Sequence, residues 1–415
     1  MNRPGPAGNP QAGPHWPALD GMRALAVLAV VGIHIGVLPG GYLGVDVFFV
    51  LSGFLITSLL IREWDSRKGR ISFRSFYARR ILRLFPALAC VVLAAVVLAL
   101  VLDVAGGAGD RPYARATLGA IPWVGLFVSN FAFTLHPGTD TLTLGALGHT
   151  WSLAVEEQFY LLWPAVLVLI LRRRISRSSV ALSLAALAVA EMIYRMVMAH
   201  VDYGYNHIYY GTDTHSDGLL IGCALAFWMA SGKVSALHMR EGRLIKAASW
   251  LGVAVLMILF VSGSRAAASV DITMAVLASG VIVAGIALGK TPAPLGRLFC
   301  SGWAVLIGRR SYGLYLWHCV FLAAAEALCA SSTGLYPAGL GERRSIFAAA
   351  LAGAIAASLI VTELSYRFVE LPVLRLKRRF REEEVSIRSP SELRREVPPV
   401  DRRVGLSPDT LAPID

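Results

Sequence analysis

The amino-acid sequence predicts an all-α fold, a polytopic integral membrane helix bundle of about ten transmembrane helices plus one re-entrant or interfacial helix. Three observations predict it. The 415 residues are 56% hydrophobic and 16% charged, with a mean hydropathy of +0.60. Apolar runs of about 20 residues recur along the chain, which is the length that crosses a hydrocarbon core. Lys and Arg gather in short segments between those runs. The formal net charge of +12 therefore speaks for topology and anionic lipid, not for nucleic acid.

The elements follow in order. The leader "MNRPGPAGNPQAGPHWPALDG" is rich in Pro and Gly, and no small-x-small cleavage pattern clearly follows the first apolar run. This predicts a disordered cytosolic arm over 1–17 and a retained first helix, not a cleaved signal. Apolar runs then stand at 22–38, 44–62, 83–103, 119–134, 149–171, 179–199, 215–231, 247–263, 270–289, 312–330 and 345–369, eleven in all. Eleven crossings would put the two termini on opposite sides, and the positive-inside rule arbitrates. If 119–134 does not cross, the segment from Arg62 to Arg83, the group Arg172, Arg173, Arg174 and Arg177, the group Lys233 to Lys246, the segment from Lys290 to Arg310 and the tail all fall on the cytosolic side. The outer side keeps only Arg111, Arg115, Arg265, Arg343 and Arg344. Ten crossings with both termini cytosolic are therefore predicted, and "IPWVGLFVSNFAF" is re-entrant or interfacial, as irregular backbone at membrane depth must be buried in protein or line a cavity. One membrane domain over 18–375 precedes a charged tail over 376–415 that reads as disordered. Cys90, Cys223, Cys300, Cys319 and Cys329 are odd in number and show no CxxC spacing, so they read as small core residues, neither a disulfide framework nor a zinc site.

Several spans carry polar groups that lipid alone would not accept. Arg23 and His34 bracket the apolar core of the first run, roughly 16 Å apart on one helix. That places Arg23 at the inner interface and His34 roughly mid-membrane or slightly beyond, where an ionisable group usually faces a cavity. His34 is a packing histidine or a general base or nucleophile. In "GGYLGVDVFFVLSGFLI", Gly40, Gly41 and Gly44 allow a tight turn, after which Asp46 and Ser52 enter the second helix near the depth of His34. Asp46 either orients the imidazole or serves its helix as an N-terminal cap or dipole partner, and Ser52 suits helix packing or a cavity wall. In "GHTWSLAVEEQFYLLWP", His149, Ser152, Glu156, Tyr160 and Trp163 share one helix face, a polar stripe that lines a cavity or knits a structural network. In "GTDTHSDGLLIGCALA", the alternation of Asp213, His215 and Asp217 invites a metal, but side chains two apart on a helix diverge, and no metal is assigned. Tyr312, Tyr315 and His318 repeat at three, as an aromatic belt or a cavity wall. In "SFRSFYARRILRLFPA", Arg79, Arg80 and Arg83 anchor the helix or bind the phosphates of a cytosolic cofactor.

Taken together, "RALAVLAVVGIH", "GYLGVDVFFVLSGFLIT", "FYARRILRLFPAL", "HTWSLAVEEQFYLLWP", "SYGLYLWH" and "LSYRFVELP" resemble, in this order, the acyltransferase-3 family of bacterial integral-membrane O-acyltransferases. The resemblance runs from about residue 18 to 372. It implies a ten-helix membrane domain of the bacterial cell membrane that moves an acyl group, acetyl above all, from cytosolic acyl-CoA to a hydroxyl. The acceptor implied is a sugar in a surface polysaccharide, glycolipid or natural-product glycoside. The family's functional pair falls on Arg23 and His34, its Ser-x3-Glu-x3-Tyr helix on Ser152, Glu156 and Tyr160, and its arginine-rich entry on Arg79, Arg80 and Arg83. His215 stands where relatives usually carry Arg beside Thr214. Some members append an extracytoplasmic domain, so a separate extracytoplasmic protein is a conceivable partner.

The resulting expectation is an enzyme with acyl-CoA as co-substrate, no permanently bound cofactor and no metal. The phosphates rest on Arg23, Arg79, Arg80 and Arg83. His34 acts as base or acyl carrier, Asp46 or Glu156 orients it, and Tyr160 donates to the developing oxyanion. Ser52, His149, Ser152, His215, Asp217, Tyr312, Tyr315 and His318 line the substrate cavity. A transporter of a glycan or lipid precursor is the rival, which commonly shows inverted repeats and broken helices in both halves. A membrane scaffold would not explain six polar motifs inside spans.

Overall fold

The computed structural model of the protein describes residues 16–105, 110–135, 144–201, 203–232, 239–264, 267–333 and 344–375. The expected arm (apart from Trp16 and Pro17) and the expected tail lie outside these residues. Fifteen α-helices follow one another: α1 (Pro17–His34), α2 (Gly44–Ser66), α3 (Phe73–Ala105), α4 (Asp110–Gly119), α5 (Ile121–Gly125), α6 (Ser129–Leu135), α7 (Trp151–Arg172), α8 (Arg177–His200), α9 (Tyr205–Tyr210), α10 (Asp217–Ala230), α11 (Met239–Ser262), α12 (Ala268–Ala287), α13 (Ala293–Phe299), α14 (Gly302–Thr333) and α15 (Arg344–Ser365). A π-turn over Tyr366–Glu370 continues α15. No strand occurs among the described residues.

Among the described residues nine helices are long and apolar enough to cross a membrane, and α10 is a shorter apolar helix of 14 residues. It nevertheless runs alongside most of α8. Arg177, at the start of α8, donates to the Ala230 carbonyl at the end of α10 and pairs with Asp65 near the end of α2. At its other end, α10 begins at Asp217, bonded to Arg195 near the end of α8. The run 119–134 breaks instead into α5 and α6, with Phe127 between them at a φ of 54°. Neither piece approaches the length of a span, in line with a segment that does not cross.

Two ends result. The basic end gathers Arg62, Arg79, Arg80, Arg177, Arg309, Arg310 and Arg367, and Trp16 stacks there under Arg62. The far end carries the 35–43 turn, where the Tyr42 hydroxyl donates to Asp271 at 3.2 Å and the Gly40 amide donates to the Phe260 carbonyl. Between the ends, side chains such as Ile81, Leu93, Val97 and Val101 leave the outer face of α3 apolar and exposed, as lipid contact requires.

The glycines of the turn serve a purpose other than dihedral freedom. Gly40 has a φ of −90° and Gly44 one of −60°, ordinary for any residue. A Cβ at Gly40 would stand 1.8 Å from the Leu259 carbonyl oxygen, so the demand is for close approach. The same logic joins α2 to α10, where a Cβ on Gly53 would meet the Leu219 carbonyl oxygen at 2.1 Å. Small residues let backbones touch where apolar side chains gain nothing by leaving lipid.

One ion network clamps the far end. Arg195 of α8 is fully buried and bidentate on Asp217, at 2.9 and 2.8 Å, and it also donates to the Thr214 carbonyl and to Thr273 of α12. Glu191, one turn earlier, accepts from the Ser216 and Asp217 amides at the start of α10. Arg195→Ala would leave the Asp217 carboxylate buried without its partner. The expected loss is about 3–5 kcal/mol of stability, measured by denaturant unfolding of the purified protein in detergent. Arg195→Lys should recover only part of it, because one ammonium cannot form the planar two-point contact.

Candidate active site

α1 ends where its sequence says it must. Gly36 has a φ of +73°, the Gly36 amide donates to the Ile33 carbonyl, and the Val37 amide donates to the Gly32 carbonyl at 2.9 Å. This is a glycine-terminated Schellman ending, and it fixes His34 as the last residue of α1. His34 therefore stands toward the far end of the bundle and is exposed. Its Nδ1 lies 2.8 Å from the Val30 carbonyl oxygen. A carbonyl only accepts, so the proton sits on Nδ1 and the lone pair on Nε2.

A cavity of about 230 Å³ opens beside this ring, lined by His34, Leu322, Ala325, Glu326, Ala350 and Leu351. Behind it, His318 of α14 packs edge-on against His34 at 4.9 Å, its Nε2 3.4 Å from His34 Nδ1. The His149 ring lies 5.5 Å from that of His318. Tyr315, one turn earlier on α14, closes the group: its hydroxyl is 2.6 Å from Ser152 Oγ and donates to the His149 carbonyl. Tyr315 and His318 are thus interior groups at the His34 end and do not form an interfacial belt.

From Ser152 the polar face of α7 descends toward the basic end. One turn on, Glu156 accepts from Ser52 of α2 and, at 3.3 Å, from Tyr160. The Arg80 guanidinium covers the Tyr160 ring at 4.1 Å. Arg83 is within electrostatic reach of Arg23, Arg80 and Glu370. Arg23 bonds Ser311 of α14 at 3.3 Å, and Tyr312 beside it donates to the Leu84 carbonyl. A polar track thus joins three arginines at one end to three histidines at the other.

The structure separates residues that the sequence groups together. Asp46 does not orient His34, nor does it cap α2: it lies fully buried, and His215 Nε2 bonds it at 2.9 Å. Among the described residues the hydrogen-bonding neighbours of the His34 ring are Val30 and His318, so Glu156 does not orient it either. Arg79 turns away from Arg80 and Arg83 to pair with Glu63 at 3.5 Å. His215 and Asp217 belong to the far-end clamp and line no cavity beside His34; the former is boxed in by Phe49, Trp151 and Tyr209. Asp213, His215 and Asp217 reach three different partners, His207, Asp46 and Arg195, as divergence along the chain predicts. Among the described residues no cysteine is in a disulfide, but Cys300 is exposed, not a core residue. His34, His318 and Cys319 place one potential metal-ligand atom each within 4.8 Å of one another.

Sequence reasoning missed Arg195, Ser311, Glu326 and Glu370. Arg195 stands inside an apolar run, which was signal enough. Glu326 stands inside an apolar run as well, whereas Ser311 had no such signal, since only the pairing of α14 with α1 gives it meaning.

With this geometry in place, comparison with known proteins is decisive for the family. Residues 16–363 match the family described as Acyltransferase domain, acyltransferase-3. The chain belongs to the acyltransferase-3 family. Among its relatives are the peptidoglycan O-acetyltransferase OatA of Listeria monocytogenes, 32% identical over 366 residues, and the putative peptidoglycan O-acetyltransferase YrhL of Bacillus subtilis, 31% identical over 377. The O-acetyltransferase OatA of Staphylococcus aureus is 33% identical over 378 residues. Each alignment covers 86% of this chain but 54–57% of the relative, so the chain spans about half the length of the curated relatives it matches. No solved structure matches.

Because Asp46 serves the clamp, Asp46→Asn is expected to lower stability by about 1–3 kcal/mol without changing the pH profile of turnover. Unfolding curves and pH–rate curves on the same preparation check both halves.

Proposed function

We propose that this acyltransferase-3 protein is a membrane-bound O-acyltransferase that moves an acetyl group from acetyl-CoA to a sugar hydroxyl of a bacterial surface polymer. The observation that carries it is the polar track, with Arg23, Arg80 and Arg83 at one end and His34 Nε2 at the other. The separation of Arg23 and His34 along α1 is roughly 16 Å, comparable to an extended pantetheine arm. Phosphates held at the basic end would thus bring a thioester to the imidazole without a second carrier.

The positive-inside rule assigns the basic end to the cytosol, with the chain a multi-pass protein of the cell membrane and both termini inside. Arg80 and Arg83 take the phosphates, with Arg23 one helix away, while Arg79 is already engaged. In the simplest sequence the acceptor hydroxyl gives its proton to His34 Nε2 as its oxygen attacks the thioester carbonyl. The C–S bond breaks, and the CoA thiolate leaves with that proton. Attack by His34 itself, with an acyl-imidazole between two transfers, satisfies the same geometry. The track supports Glu156, Ser52 and Tyr160 as groups that hold the donor's path, some distance from the base. The cavity beside His34 at the far end supports an acceptor approaching from outside, and the peptidoglycan O-acetyltransferases among the relatives favour a peptidoglycan sugar.

His34→Ala is expected to abolish acceptor-dependent CoA release while the protein stays folded and still binds CoA; unchanged release would remove His34 from the mechanism. Arg83→Ala should raise the KM for acetyl-CoA by about tenfold or more, since each charge-assisted phosphate contact contributes about 1.5–3 kcal/mol, whereas Arg79→Ala should move it far less. Steady-state kinetics over a donor titration separates the two. Failure of the wild-type protein to bind CoA at all would leave the track as a translocation path.

A further inference from the structure

α15 carries a second polar face that the mechanism above does not use. Its inward positions are Ala354, Ser358, Thr362, Ser365 and Glu370, all at most 7% exposed, whereas Ile360, Leu364 and Phe368 between them are 47–73% exposed. A helix facing lipid on one side would normally bury apolar or small groups on the other. Here the buried line is Ser, Thr, Ser, Glu. Ser358 satisfies its hydroxyl on the Ala354 carbonyl of its own helix. Thr362 Oγ1, Ser365 Oγ and Glu370 Oε1 are buried and have no hydrogen-bond partner among the described residues.

The π-turn over Tyr366–Glu370 aligns this face. Five residues separate Ser365 from Glu370, which on an α-helix would swing the carboxylate about 140° away. The wider π-turn brings it back toward the line. Glu370 then points at α14, where its Oε1 would stand 3.4 Å from a Cβ placed on Gly313, and Thr362 abuts the same glycine. Arg83 and Arg310 lie within electrostatic reach of the carboxylate, so the line begins beside the arginines assigned to the donor's phosphates.

We infer that Thr362, Ser365 and Glu370 form a subsite for the amide groups of the donor's pantetheine arm; this rests on the CoA assignment above. The chemistry selects among ligands. A phosphate on this line would meet the Glu370 carboxylate. A metal ion would meet one carboxylate and two guanidiniums. A neutral amide offers an N–H to Glu370 and a carbonyl to the Thr362 and Ser365 hydroxyls, and so uses the groups left without partners. Gly313 keeps the opposite wall free of a side chain.

The test is equilibrium binding of CoA and of pantetheine to the full chain in detergent, comparing wild type with Glu370→Gln, Thr362→Val and Ser365→Ala. Glu370→Gln keeps the volume and removes the charged acceptor, and its Kd should rise about tenfold for both ligands, the loss that one hydrogen bond to a charged group produces. Thr362→Val and Ser365→Ala should each raise both Kd values by a smaller factor, and they carry the test should Glu370→Gln fail to fold. An effect on CoA but not on pantetheine would place the contact on the nucleotide and overturn the arm assignment. Unchanged Kd values alongside a lowered unfolding temperature would reduce the line to a structural one. Absence of CoA binding in the wild type is a separate result, which overturns the donor assignment itself.

Discussion

Hydrocarbon solvates no charge, and so every guanidinium and carboxylate at membrane depth must find its partner within the bundle. Arg195 shows how far this constraint reaches. Its pairing with Asp217 holds the start of α10, and its bond to Thr214 holds the loop that precedes it. That loop seats His215 against Asp46, with the His215 ring 5.4 Å from Trp151. Trp151 is the first residue of α7, the helix whose face carries Ser152, Glu156 and Tyr160. A buried ion pair with no chemical duty thus fixes the register of the helix that joins the two ends of the site.

Those ends differ in character. At the basic end the polar groups are charged, crowded and partly satisfied by one another: Arg80 over Tyr160, Glu156 against Ser52, Arg310 against Glu363. At the far end the groups around the His34 ring are mainly imidazoles and hydroxyls, those of His149, His318, Ser152 and Tyr315, with the Glu326 carboxylate on the cavity wall and the Arg195–Asp217 pair in a separate clamp. The other walls of that cavity are Leu322, Ala325, Ala350 and Leu351, among which imidazoles and hydroxyls are cheaper to hold than ions. The arrangement suits a donor with a charged head and a neutral reactive tip.

Much of the bundle was legible in the sequence, because membrane depth imposes a length on each span and charge asymmetry imposes a direction. The break of 119–134 into two short helices follows from that charge argument alone. The α7 stripe was legible too, since spacings of three and four name one face. What was not legible is which polar residues meet across helices. Asp46 and His34 sit at similar distances from the same turn, yet Asp46 faces α10 and His34 faces α14. Arg79 and Arg80 are neighbours, and about 100° of helical rotation sends one to Glu63 and the other to Tyr160. Glu370 lay in a quoted motif but was assigned no role, because its direction depends on a π-turn that no α-helical spacing reveals.

The brevity of α10 has a mechanical consequence. Its 14 residues rise only about 21 Å, against a hydrocarbon core of about 30 Å. The missing depth is filled by the polar loop carrying Thr214 and His215, buried where neighbouring helices still present apolar surface. No residue from Thr214 to Ala230 is exposed, so neighbouring helices stand between this short helix with its loop and the lipid. Irregular backbone is thereby carried at depth without meeting hydrocarbon, and the length that must match the bilayer is set by the helices around α10, not by α10 itself.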